Sequence, residues 1–184
     1  MKKVLSFVSF LIPAIALLVS CGPSQEKLLS EIDSLESSVT ELALEIDTVT
    51  ARQLVDLYIQ YADRFPDDSL APVYLFKAGD VLQGICDYDA SIQCLTRVID
   101  KYDAFEELPL CYFFIGRVYE QKEDFDAAAN AYEDFLERYP DHFLAASTRT
   151  ILPLIKNGMN DEEQLEFLIS NTSDQFIVQD SSNL

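Results

Sequence analysis

The chain reads as an all-α solenoid of stacked antiparallel helix pairs. Two stretches of 27 residues, Phe76 to Tyr102 and Phe113 to Tyr139, align without a gap at an offset of 37. A fixed period of this size marks a stack of supersecondary units. Composition agrees, with only five glycines in 184 residues and 49% hydrophobic residues. Leu, Ala and Glu favour helix over strand, and the apolar fraction is enough for one core.

The chain begins Met1-Lys2-Lys3 and then runs apolar from Val4 to Val19, interrupted only by Ser6, Ser9 and Pro13. A basic start followed by a short apolar run has the pattern of a secretory signal removed from the mature chain, here residues 1–20. The run is shorter than the ~20 apolar residues that cross a bilayer comfortably. Its end, Leu18-Val19-Ser20-Cys21, resembles the lipobox of bacterial lipoproteins. That resemblance implies lipidation (palmitate or similar chains) at Cys21, which becomes the first mature residue and anchors the protein in the cell envelope. Two or more acyl chains hold where one does not. Gly22 follows instead of an inner-membrane retention aspartate, which favours the periplasmic face of the outer membrane.

Next comes a linker and stalk region, residues 21–50. Leu28, Ile32, Leu35, Val39, Leu42, Ile46 and Val49 alternate four and three apart, a heptad seam. Leu29 and Leu44 broaden the apolar face beyond a narrow seam. Two readings stay open: a coiled coil through residues 24–50 that makes a homo-oligomer, or one amphipathic helix folded against the first repeat.

Residues 51–170 carry the repeats. A helix opened by a Thr50/Gln53 capping box ends at Tyr61-Ala-Asp-Arg-Phe65-Pro66, which echoes Phe135-Leu-Glu-Arg-Tyr139-Pro140. In both copies the first helix carries a glycine, Gly79 or Gly116, where the second helix must come close. The second helices follow Asp87 and Asp124, whose carboxylates suit N-terminal caps. Pro140 is expected to stop the last of them. Leu144 to Leu152 predicts one more first-type helix ended by Asn157-Gly158. Asn160-Asp-Glu-Glu163 opens a short helix that ends near Ile169, and residues 171–184 form a polar tail.

The second copy resembles the tetratricopeptide repeat through Tyr112, Ile115, Gly116, Tyr119, Ala128, Tyr132 and Pro140. The first copy does so more loosely, through Leu75, Ala78, Gly79 and Leu82, with Ser91 and Asp103 where Ala and Pro are usual. The period exceeds the family's ~34, and the surplus is expected in an insertion at Asp103 to Glu107. The Tyr-Pro and Phe-Pro helix ends are also similar to those of repeat lipoproteins of the outer-membrane β-barrel assembly machinery, over about residues 51–156. The resemblance implies a scaffold or adaptor that binds a protein or peptide partner. It places the binding groove on the first helices, at Val73, Phe76, Asp80 and Gln83, and at Leu110, Phe113, Arg117 and Glu120.

Charge limits the partners. With 13 basic and 32 acidic residues the formal charge is −19, and removal of Lys2 and Lys3 makes it more negative. Nucleic-acid phosphates demand the opposite. The single histidine, His142, makes neither a metal site nor a persuasive general base, and no nucleophile elbow, zinc motif or phosphate loop is present. No cofactor, metal or catalytic residue is therefore expected. Cys86, Cys94 and Cys111 show no metal-ligand spacing. They read as small buried filler, with a Cys94–Cys111 bridge as the alternative.

Overall fold

In a computed structural model, described over residues 22–42, 47–160 and 162–170, the helices run α1 (Gln25–Leu42), α2 (Thr48–Arg64), α3 (Leu70–Gly84), α4 (Tyr88–Lys101), α5 (Leu108–Gln121), α6 (Phe125–Arg138) and α7 (Ala145–Lys156). A shorter helix, α8, covers 162–170. No strand occurs among the described residues. From α1 to α7 each helix packs on the next in chain order, so the molecule is an all-α solenoid. The proposed signal, Cys21 and the tail lie outside the described residues.

The repeat is visible in the backbone itself. Helices α2, α4 and α6 end on Phe65, Tyr102 and Tyr139, each 37 residues from the last, with φ of −127°, −132° and −130°. Each cap amide donates to the carbonyl four residues back, on Tyr61, Val98 and Phe135. Each turn then repeats two bonds: Asp68, Phe105 and His142 donate to the cap carbonyls, and Ala71, Leu108 and Ala145 donate to those three residues. The turns are copies, so residues 103–107 are not an insertion peculiar to the first copy. Tyr102 adopts the same terminal geometry as Tyr139 although Asp103, not proline, follows it. The proline reinforces the stop at Pro66 and Pro140 without being required.

Helices α3, α5 and α7 share a second device. Asp87, Asp124 and Met159 donate to the carbonyls five residues back, and Cys86, Glu123 and Gly158 donate to those three residues back. This is the Schellman ending, which needs a left-handed residue at its centre. Gly158 supplies it freely at φ 75°, but Cys86 and Glu123 adopt φ of 61° and 59° with side chains attached. Cys86 is accordingly an exposed thiol in a turn, not buried filler. Cys94 and Cys111 are buried, and all three are free.

Two caps differ from expectation. Asp47, not Thr50, opens α2: its Oδ1 accepts from the amides of Val49 and Thr50 at 2.9 and 3.0 Å. Thr50 instead donates its hydroxyl to Asp47, so Thr50 supports the cap and Gln53 has no part in it. Asp124 accepts from the Ala127 amide at 3.2 Å, but the Asp87 carboxylate turns to Arg52 Nη1 at 2.9 Å. An ion pair to α2 outcompetes a local cap there.

Close helix approach holds each pair together. A Cβ on Gly116 would lie 2.6 Å from Tyr132 Cε1, and one on Gly79 would lie 2.9 Å from the Leu95 side chain. Ser91, where the repeat usually has Ala, donates its buried hydroxyl to the Gly79 carbonyl at 2.7 Å. A polar residue is tolerated inside because its one donor is satisfied.

The heptad seam is not one continuous helix. Asp47 stands in extended backbone, φ −70° and ψ 150°, ahead of α2, and Val49 sits on α2, 68% exposed. Leu28 and Ile32 are buried against Leu54, Val55, Tyr58 and Tyr74 of α2 and α3. Glu36 fastens the same packing, accepting from Tyr58 Oη at 2.6 Å and Lys77 Nζ at 2.8 Å. Burial alone would raise the Glu36 pKa, but those two donors outweigh it and hold the carboxyl below its ordinary value. Thus α1 serves as the first helix of a pair with α2. Ile46 lies outside the described residues, as do the side chains of Val39 and Leu42.

Candidate protein-binding face

A groove of about 840 Å³ opens between α3, the turn that follows it, and α5. Asp80 and Gln83 line one side, Phe114, Arg117 and Gln121 the other, and Tyr88 closes the end. Gln83 Nε2 donates to Gln121 Oε1 across it at 3.1 Å. Arg117 stands 3.7 Å from Glu120, its side chain about a third exposed. The surface mixes two aromatics, two amides and both charge signs. It is suited to a polypeptide, which offers amides and mixed side chains.

Three of the eight residues expected in the groove line it: Asp80, Gln83 and Arg117. Phe76 is half-buried and spans to the next pair, 5.6 Å from Phe114 and 6.1 Å from Phe105 between ring centroids. Phe113 turns into its own pair, 5.5 Å from Tyr132 and 5.7 Å from Phe135. Val73 and Leu110 are half-buried and do not line the groove. The two phenylalanines matched at offset 37 therefore do not stack on each other.

Glu120 is only 4% exposed and serves the fold. Its carboxylate accepts from Tyr132 Oη at 2.8 Å and from Gln164 Nε2 at 2.6 Å. It thereby joins α5, α6 and α8, and a buried charge with satisfied partners is retained where an unsatisfied one is costly. Asn160 opens α8 by accepting from the Glu162 and Glu163 amides, while Glu163 reaches back to the Asn160 amide. This reciprocal box fixes where Gln164 points.

Phe114 and Gln121 were not anticipated. With Arg117 they follow a three-then-four spacing, which is one helical stripe. Carrying the groove over at Phe113 and Glu120 fell one residue short of Phe114 and Gln121, and one residue rotates the direction by about 100°. The pairing of Gly116 with Tyr132 held the signal, because the face toward α6 cannot also face the groove.

With two complete helix pairs, their identical turns and the glycine contacts in view, comparison with known proteins adds one match. The tetratricopeptide repeat family matches residues 110–142. The fold is a tetratricopeptide-like solenoid. The match spans most of α5, all of α6 and the Tyr139-Pro140 turn, so it falls on the copy with the closer signature. None of the curated proteins matches the chain. Tetratricopeptide-like stacks are protein-interaction modules, with extended surfaces generated by small rotations between repeats.

Proposed function

We propose that this tetratricopeptide-like protein is a lipid-anchored adaptor of the bacterial cell envelope, held at the membrane through Cys21, that binds a segment of another protein in the groove between α3 and α5. The observation that carries the binding half is that groove, with Gln83, Phe114, Arg117 and Gln121 presented on two first-type helices. The anchoring half is carried by the basic, apolar and small-residue order that ends at Cys21. A place at the periplasmic face of the outer membrane, and a part in outer-membrane biogenesis, follow from the lipobox context and the similar helix ends.

Self-association through residues 24–50 is the weaker reading. Leu28 and Ile32, the start of the heptad seam, are already committed to the chain's own core. A coiled coil would have to remove them from it.

Two measurements test the proposal. Fatty-acid labelling in cells should mark the chain and be lost in Cys21→Ser; a labelled Cys21→Ser chain refutes the anchor. A protein that co-purifies with the full chain should be lost with Gln83→Glu plus Gln121→Glu and kept with Gln93→Glu on α4. Loss with neither or with both refutes the groove.

A further inference from the structure

The outward face of the first pair holds a second groove, of about 670 Å³, between α1 and α2. Leu35 and Leu57 form its floor, both half-buried. Ser30, Ser34 and Ser38 recur every four residues along the α1 wall, and Gln53 and Gln60 stand on the α2 wall. Small side chains in such a row let another helix backbone come close. The eight steps from Ser30 to Ser38 give a seat of about 12 Å, or two helical turns. No described helix covers it.

Its charged lining is acidic. Glu31 and Asp56 stand on opposite walls; Lys27, one turn back on α1, lies 3.6 Å from Glu31 and is well exposed, while Arg52, one turn from Asp56 on α2, is paired with Asp87 at 2.9 Å. A solvated i,i+4 pair like that of Lys27 and Glu31 neutralises little. The chain as a whole carries −19. A second copy would set acidic rim against acidic rim, which is unfavourable.

We infer that the α1–α2 groove docks a basic amphipathic helix from a partner protein, separate from the segment bound between α3 and α5. The partner places apolar side chains at i, i+3 or i+4, and i+7 over Leu35 and Leu57. Its lysines or arginines flank that stripe and meet Glu31 and Asp56. The occupant is thus specified by shape along one axis and by charge across it.

The test uses the full chain and two labelled helical peptides with the same leucine stripe, one flanked by lysines and one by glutamates, read by fluorescence anisotropy. The lysine peptide should bind at least tenfold more tightly than the glutamate peptide. Ser34→Arg, which fills the seat from an exposed position, and Asp56→Arg, which reverses the rim, should each weaken it at least tenfold. Gln93→Arg makes a basic change on α4 outside the seat and should leave affinity within twofold. Equal loss in Ser34→Arg and Gln93→Arg would mean diffuse charge attraction and overturn the inference. So would equal binding of the two peptides. Sedimentation showing a dimer that Ser34→Arg dissolves would give the groove to a second copy and overturn it as well.

Discussion

Replacing Gly116 with alanine tests whether helix pairs close as tightly as the glycine contacts require. In an isolated helix the change should help, by about 1 kcal/mol. Here the new methyl would lie 2.6, 2.7 and 2.9 Å from three ring atoms of Tyr132. That ring is fully buried, and its hydroxyl is tied to Glu120 at 2.8 Å. It has no free direction in which to move. Overpacking costs about 1–3 kcal/mol, and loosening a hydrogen bond to a charged group adds about 1.5–3 kcal/mol if the ring shifts. Set against the helix gain, the two costs leave a net loss of about 1.5–5 kcal/mol when the ring shifts. At a urea slope of about 2 kcal/mol per M, the midpoint should fall by roughly 1–2.5 M. At Gly84, near the end of α3, an added methyl would meet nothing within 4 Å. Gly84→Ala should therefore raise the midpoint, through a gain of about 0.5–1 kcal/mol. Urea unfolding of both variants, followed by helical circular dichroism, gives the two signs side by side. A midpoint raised by Gly116→Ala as well would refute the close approach of α5 and α6.

Other outcomes follow from the same contacts. Glu123 holds φ 59°, so Glu123→Gly should stabilise the chain by about 1 kcal/mol in thermal unfolding, whereas Glu123→Ala should not. Burial pushes the Cys94 thiol up to about 11 and the Cys111 thiol up to about 12. In the native chain near neutral pH, maleimide should label the exposed Cys86 and spare those two until denaturant is added; prompt labelling of Cys111 would place α5 wrongly. Glu36 has its pKa lowered in the folded chain, so its stabilisation is present above the unfolded value near 4.5 and is lost as pH falls through the folded value. Glu36→Gln should be less stable than the parent near pH 7 and lose less stability on acidification. Identical acid profiles would show that Glu36 does not fasten α1 to α2 and α3.

The stack was legible in the sequence because its strongest constraints are local and repeated. Gly79 with Gly116, and Tyr102 with Tyr139, each mark a position where backbone geometry or close packing leaves little choice. What escaped were competitions between partners. Asp87 has the same chemistry as Asp124, yet only the three-dimensional position of Arg52 decides that its carboxylate leaves the cap. The heptad spacing of α1 is real, but spacing alone does not say whether Leu28 and Ile32 face another chain or this one. The groove was partly legible: Asp80, Gln83 and Arg117 fall in it, while Phe113 and Glu120 are drawn toward α6 and α8 by Tyr132, Phe135 and Gln164. Cys86 escaped because a left-handed cysteine leaves no mark in composition; its only sign was its match to Glu123 at the repeat offset.

The central claim is that the face shared by α3 and α5 receives a polypeptide while the outward side of α4 does not. A photo-reactive amino acid placed at Gln121, in the groove, and separately at Gln93, on α4, tests it in living cells. The account predicts one discrete crosslinked partner from position 121 and none from position 93. The same adducts from both positions, or an adduct from position 93 alone, would contradict it.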